Sequence, residues 1–519
     1  MPFFPDITTP PNVVIILHQG AFCLLSSFTG AVHKGLQAFY FFKPCVDSGY
    51  HAALAAALTE MVSWKMNKSN IIKNERTRTY EIMTDYQKQY QEKLATVEQC
   101  LSLIHSGDIV YTTHNHTEPV TILEHLHERA PYVENVKVWK GRSGHFQVMT
   151  DPAMKGHMEM LTYFYGPTFY KESERYGLID LTPADLAHYF SVAISGHMPT
   201  VYYTGVGAMD ENGLFHMGMN HADEGDAMQY AIDHKLPIVV EVNHNLHHAR
   251  GAQTIPIEAV TYILECDRPE QDLPTIQPTE LEDRIGAAVA DIVSDGDTIQ
   301  LGIGGIPNAV GLYLRQKNDL GIHTEMFTNS MMDLILSGNI TGRRKNIDTG
   351  LHVFSFAEGR ENIYEFIQSR PDCVERRSPD HINPMVIARQ NHFVSINTCV
   401  EIDLTGQVCS ESVGARQISG SGGAFCCAYG AFESKGGKSI LAFPSRSAKG
   451  TSKIVSMLTP GAIVTVPRNY VDYIVTEYGV ARLKGATVSE RIAQLIAIAH
   501  PDDRDRLRDE AKKLWPAFV

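Results

Sequence analysis

No pair of cysteines in this chain is spaced as C-x-x-C. The nine cysteines form an odd set, and Cys426 and Cys427 are adjacent, which suits neither a disulfide nor a shared metal. The expectation is reduced thiols in a cytoplasmic compartment, with no metal centre. A chain of 519 residues buries enough apolar surface to fold without such staples. An excess of positive charge is also missing. Lys and Arg number 45 against 59 Asp and Glu, a formal net charge of −14. A field of that sign disfavours nucleic acid and anionic membrane surfaces. It leaves room for an anionic ligand held by local amides and a few cationic side chains.

Long apolar runs are absent too. Val13 to Phe42 is rich in apolar residues, but His18, Gly20, Ser26, Gly30 and Lys34 interrupt it, so no membrane span is expected. Asp6 is the only charge before Lys34, which removes the basic region of a signal peptide, and an Arg-rich transit peptide does not fit. Residues 1–82 read as an atypical extension of low order, with Met66 or Met83 as the usual first residue. No Walker A loop, G-x-G-x-x-G fingerprint or G-x-S-x-G elbow occurs.

From Tyr86 onwards helical and strand-like patterns alternate, as in an α/β protein. Asp85 to Ile104 has apolar Leu94, Val97, Leu101 and Ile104 at helical spacing. It leads through Ser106-Gly107-Asp108 into a strand at Ile109–Thr112 and a helix from Pro119 to Arg129. The order recurs. A helix over Leu281–Val293, a turn at Ser294–Asp297 and a strand at Thr298–Leu301 precede a glycine-rich loop and a helix from Pro307 to Gln316. Asp108 and Asp297 are 189 residues apart. A second echo pairs Asp210, after the strand Val201–Val206, with Asp403, after the strand Phe393–Val400, at an offset of 193. Two matches at nearly one offset predict a duplicated α/β domain. The polar, Pro-rich stretch Pro269 to Pro278 is the expected linker. It gives a first domain over 83–270 and a second over 276–519, with a site at the face between them.

Four places could carry chemistry. Gly302-Ile303-Gly304-Gly305-Ile306-Pro307 follows a strand and opens a helix. Glycines there let a backbone approach a ligand, and free amides favour an anion or oxyanion. A tight turn without a ligand has the same pattern. Glu325 lies at the end of the short strand Ile322–Met326, one helix after that loop, where ligands sit in open α/β sheets. A lone Glu in such a place is more often a salt-bridge partner or a solvated charge. Gln417-Ile418-Ser419-Gly420-Ser421-Gly422-Gly423 is a second glycine loop at an expected strand end. Thr112 to Pro119 holds in the first half the place of the Gly302 loop in the second. His114 and His116 within it have i, i+2 spacing and no third ligand, so they are not read as a metal site. His221, His244, His247 and His248 are read as hydrogen-bonded or solvated loop residues.

These segments, taken together in order and spacing, resemble a known family. Gly302 to Val310, Gly321 to Met326, Gln417 to Gly423 and the tail Asn469 to Gly485 look like the acetyl-CoA hydrolase/transferase family, in its butyryl-CoA:acetate and 4-hydroxybutyrate CoA-transferase branch. The resemblance covers roughly 85 to 519. It implies two related α/β domains with the active site at their interface, a likeness to CoA-transferases, and Glu325 as the catalytic glutamate. It implies CoA contacts at Gly302, Ile303, Gly304, Gly305 and Ile306, and further ones at Asn397, Gly420 and Lys449. Gly422 and Gly423 fall where oxyanion amides are expected. The substrates implied are acyl-CoA and a small carboxylic acid. No tightly bound cofactor is expected, and the family suggests a homodimer. The mechanism implied is ping-pong through a glutamyl-CoA thioester. An acyl-CoA hydrolase with the same intermediate, or a non-catalytic effector-binding module of similar fold, are the alternatives. Two departures, Ala424 to Tyr429 and Leu246 to Arg250, are expected near the acyl pocket and bear on which acid is preferred.

Overall fold

The structure is a computed structural model that describes residues 13–18, 21–26, 38–39, 84–141, 150–166, 174–274, 276–360 and 362–519. Its contacts divide the chain into Met1–Ile82 and Met83–Val519. In the first unit the strands Val13–His18, Ala21–Ser26 and Ala38–Phe39 pair antiparallel. The expectation of low order for 1–82 otherwise falls outside the described residues.

The second unit carries two large sheets. The first holds β1 (Ile109–Thr112), β2 (Val136–Trp139), β3 (Met158–Thr162), β4 (Ile179–Leu181), β5 (Val201–Val206), β6 (Ile238–Val242) and β7 (Tyr262–Glu265). Their order is β7-β6-β5-β1-β2-β3-β4, and every pair is parallel. The second holds β8 (Thr298–Leu301), β9 (Gly321–Phe327), β10 (His352–Ala357), β11 (Val374–Arg376), β12 (Phe393–Asn397), β13 (Lys438–Ala442), β14 (Tyr473–Thr476) and β15 (Gly479–Arg482). Their order is β11-β10-β9-β8-β12-β13-β14-β15, parallel except for β15. The seven parallel strands of each sheet therefore run in one and the same order. In both, the chain lays three strands outward from a central one and then returns to its other side. That return makes a switch point, β1/β5 in the first sheet and β8/β12 in the second.

Strands β5, β6 and β10 are buried along their whole length, as parallel strands covered on both faces must be. The apolar cores also interlock. Met219 and Ala249 pack into the core of the second sheet, while Ile382, Ile387, Phe393, Cys427 and Ala431 pack into that of the first. Among the described residues no helix is long and apolar enough to cross a membrane.

Three local expectations need correction. The helix expected over Asp85–Ile104 is two helices, Asp85–Lys93 and Val97–Leu101. Lys93 Nζ donates to Ile257 O and Val260 O, and the Ala95 N–H to Ile263 O, so the chain unwinds to meet β7. Thr96 then caps the next helix through a capping box with Gln99. The helix expected from Pro307 starts earlier, at Gly305, because Gly304 (φ +118°) makes the turn that caps it. The second glycine loop follows a two-residue hairpin strand, Arg416–Gln417 paired with Ser412–Val413, and not a strand of the main sheet. The Pro269–Pro278 stretch holds no helix or strand among its described residues, and a Thr279–Glu282 capping box starts the helix Glu280–Ile292.

Candidate active site

Glu325 sits near the carboxyl end of β9, between β8 and β10. Its side chain is half-buried, whereas His323 and Thr324 before it are fully buried. The helix Ala424–Glu433 begins beside it. Gly423 is the N-cap, and its backbone N–H hydrogen-bonds the Glu325 carboxylate. A Cβ on Gly423 would overlap Glu325 Oε2, and one on Gly422 (φ +50°) would lie 3.6 Å from Oε1. The loop can lie on the carboxylate only because it is glycine. Burial pushes the Glu325 carboxyl up to about 7. The Gly423 N–H opposes that shift, and the charge of Glu358 adds to it. Glu358 is 3% exposed and follows β10, where its N–H donates to Phe327 O of β9 at 3.2 Å.

The same loop is gripped by the first half of the unit. Leu186 N–H donates to Gly422 O at 3.0 Å, and Ser421 Oγ donates to Ala184 O at 2.8 Å. A Cβ on Gly420 would overlap Tyr163 O, with Phe164 Cα 2.9 Å away. Tyr189 and Cys427 are both buried and within the field of Glu325. Burial first, and that charge second, push both groups well above their ordinary values.

The other glycine loop stands at the end of β8. At Gly302 and Gly304 an added Cβ would meet nothing nearer than Pro307 at 4.0 Å, so this side of the loop is open. Gly305 is closed instead, packed on the Glu282 carboxylate. Ile306 is buried and Ile303 is exposed. The helix Gly305–Tyr313 points its first amides from this loop. Across the switch point, Asn397 ends β12. Gln300 Nε2 donates to Asn397 Oδ1 at 3.2 Å, Asn397 Nδ2 to Ser395 Oγ at 2.9 Å, and Ser395 Oγ to Gln300 Oε1 at 3.1 Å. This ring of side chains fixes the amide of Asn397. Lys449 is exposed in the turn between Arg446 and Ser452 that follows β13. Glu325, the Gly302–Ile306 loop and Asn397 thus share the carboxyl edge of the second sheet. Gly420, Gly422 and Gly423 come to Glu325 from its side.

The first sheet shows what its matching strand lacks. The register pairs Thr298 with Gly321 and Ile109 with Lys137, so Gly141 holds the place of Glu325. Gly141 N–H donates to His114 Nδ1 at 3.0 Å, so His114 Nε2 carries the proton that faces Asp223 Oδ1 at 3.1 Å. Tyr163 OH donates to the same oxygen at 2.7 Å. His116 accepts from Met219 N–H and faces Glu270 Oε1 at 2.8 Å. Both rings spend both nitrogens on protein partners. Two clusters, His114–Asp223–Glu224 and His323–Asp348–His381, bring ligand-type atoms within 4.8 Å. In the second, His323 Nε2 donates to His381 O, and His381 is paired with Asp348 at 2.6 Å. His244 and His247 pair with Asp267 and Glu270, His248 stacks on His216, and His221 accepts from Gln253.

A cavity of about 570 Å3 opens at the first sheet's switch point, lined by His116, Glu118, Glu241, Arg268 and Glu270 among others. It does not include Glu325. Its carboxylates are already partnered: Glu118 with Lys140, Glu241 with Arg268, and Glu270 with His116 and His247. The helix start at Thr121 and Ile122 is also taken, by the Glu241 carboxylate. In that crevice the amides of Thr121 and Ile122 are spent on a carboxylate, whereas the Gly302 loop is open at Gly302 and Gly304.

Sequence reasoning did not single out Phe164, Tyr189 or Glu358. Each belongs to the site through distant parts of the chain, and none has a local motif.

The family model for the acetyl-CoA hydrolase/transferase C-terminal domain matches residues 359–511. The chain is 37% identical over 438 residues to the 4-hydroxybutyrate coenzyme A transferase of Clostridium kluyveri, covering 83% of this chain and 99% of that protein. It is 32% identical to the butyryl-CoA:acetate CoA-transferase of Anaerostipes caccae, covering 83% and 98%. Among solved structures, RipA from Yersinia pestis superposes with a TM-score of 0.77 at 32% identity, covering 83% of this chain and 99% of that one. The 4-hydroxybutyrate CoA-transferase from Porphyromonas gingivalis gives 0.70 at 32% identity, covering 83% and 100%. The chain belongs to the acetyl-CoA hydrolase/transferase family and is an enzyme of the CoA-transferase type.

Proposed function

We propose that this enzyme moves CoA between a short-chain acyl-CoA and a free carboxylic acid, with Glu325 as the covalent nucleophile. Acetate, propionate, butyrate and 4-hydroxybutyrate are the acids in range. The observation that carries the reading is the Glu325 carboxylate itself, half-buried at a strand end and bonded by the Gly423 N–H.

The ionised Glu325 oxygen attacks the thioester carbonyl carbon. The C–S bond breaks, CoA leaves as thiolate, and a mixed anhydride remains on the protein. The thiolate then attacks the Glu325 carbonyl carbon and expels the first acid as its carboxylate. A glutamyl-CoA thioester is left, and an incoming carboxylate runs the two steps in reverse. Both acids react ionised, so no metal or general base enters the scheme. Amides at Gly422 and Gly423 are the proposed donors to the tetrahedral oxyanions. The Gly302–Ile306 loop, Asn397, Gly420 and Lys449 are the proposed CoA contacts. Binding energy from the remote end of CoA can be used at the strained steps. The first domain (83–270) and the second (276–519) are proposed to close on the substrate from two sides, which would keep water from the thioester.

The test is to incubate the enzyme with butyryl-CoA, reduce with borohydride and map the modified peptide. Reduction of the thioester is expected at Glu325 only, and Glu325→Ala should lose both the modification and CoA exchange. Turnover with Glu325 unmodified would overturn the proposal. CoA release that needs no added acid would mark a hydrolase instead.

A further inference from the structure

Phe164 is the second residue beyond β3, and its backbone is pinned. Thr162 Oγ1 donates to Phe164 O at 3.0 Å, and the Phe164 N–H returns to Thr162 Oγ1 at 3.1 Å. Tyr163 between them stacks on Tyr189 at 3.7 Å and is anchored through its hydroxyl to Asp223. These bonds fix the Phe164 backbone, and with it the point from which the ring projects.

The ring reaches the glycine loop of the other half. Its Cδ2 lies 3.0 Å from a Cβ built on Gly420, and its Cε2 lies 3.3 Å from one built on Gly422. The Gly422 position is 3.6 Å from Glu325 Oε1. The ring and the carboxylate thus flank one glycine. Phe164 is half-buried, so the ring is not wholly enclosed by the residues it packs on. Behind the loop, Cys427 Sγ is 3.6 Å from the Gly423 Cβ position and is buried. An acyl group carried as an anhydride on Glu325 must leave the carboxylate on the open side, since Gly423 and Cys427 close the other.

We propose that Phe164 sets the acyl-chain length of the transfer, its ring forming the wall that a straight aliphatic chain on Glu325 runs against. The inference rests on Glu325 being the acylated group. Short, unbranched aliphatic acyl groups fit such a wall, and longer ones meet the ring edge. An aromatic wall offers no ion partner to a second carboxylate, so dicarboxylic acids gain nothing from it.

The experiment measures kcat/KM for acetyl-, butyryl- and hexanoyl-CoA with one common acceptor acid, in the parent, Phe164→Ala, Phe164→Leu and Phe164→Trp. Contact with one added methylene is worth about 10-fold or more in such a pocket. Phe164→Ala should therefore raise the hexanoyl-to-acetyl ratio by about 10-fold or more. Phe164→Leu should raise it less, and Phe164→Trp should lower the butyryl-to-acetyl ratio. The split should appear in kcat and KM of the longer substrates. A merely structural ring would lower all three substrates by one factor and leave the ratios unchanged, and that result overturns the proposal. If Phe164→Ala fails to fold, the Leu and Trp variants decide it. Failure here is distinct from failure of the Glu325 reading: the borohydride label on the parent would then still map to Glu325 while chain-length ratios ignore Phe164.

Discussion

Glu325 lives under two opposed influences. Burial and the Glu358 charge disfavour its ionised form, and the Gly423 N–H favours it. With the carboxyl at about 7, the attacking species is in the minority below neutral pH. Protonation removes the nucleophile, so kcat/KM should fall by about tenfold per pH unit once the pH is well below that value. Tyr189, Cys426 and Cys427 also face Glu325, but their own pKa values are raised, so they are neutral there. Among the described residues, Glu358 is the charge that raises the Glu325 pKa. Glu358→Gln takes away a like charge, so the Glu325 pKa must drop and the acid limb must move to lower pH, never higher. A pH series of kcat/KM for parent and variant checks this, and an unmoved limb would mean Glu358 does not act on Glu325. None of this was legible in the sequence. Glu358 follows its strand much as any solvated acid would, and its relation to Glu325 exists only because β10 lies beside β9.

At the level of elements, what the sequence encodes locally could be read locally. Val201–Val206 and Thr298–Leu301 are short apolar runs with turn residues before or after them, and both are strands as expected. The helix over Asp85–Ile104 was misread because its break answers to Ile257, Val260 and Ile263, far along the chain. The two glycine loops were recognisable as loops, but their different jobs come from packing. Gly423 is pressed on Glu325, while Gly302 faces open space. That contrast is measurable. Gly423→Ala must displace the carboxylate or the helix start, and its kcat should drop by about 100-fold or more, the scale of losing one oxyanion donor. Gly302→Ala has room for its methyl group, so it should keep its kcat and melting temperature and raise only KM for acyl-CoA. Equal effects from the two substitutions, in kinetics and thermal melting, would show that the loops do not differ in this way.

On the scale of the whole molecule, one strand order is used twice with different outcomes. Just beyond its second strand the first sheet has Gly141, which leaves room for His114 and Tyr163, and its crevice is walled by partnered carboxylates. The second has Glu325 at the matching register position, near the end of its strand, and opens its crevice with glycine. The duplication was visible in two echoes of sequence, but the asymmetry was not, since it lies in which side chains each edge gathers. Every element of that arrangement falls within Met83–Val519, which forms its own contact unit. The Thr84 capping box starts its first helix. The relatives described above are themselves covered almost end to end while matching 83% of this chain. A chain that begins at Met83 should therefore fold and transfer CoA with the kcat and KM of the full chain. Its melting temperature should stay within about 2–4 °C, the shift that about 1 kcal/mol makes in a large domain. Purifying both forms side by side and comparing exchange rates and melting curves decides it. A truncated form that aggregates, or that keeps its fold but loses exchange, would mean that residues 1–82 contribute to this site.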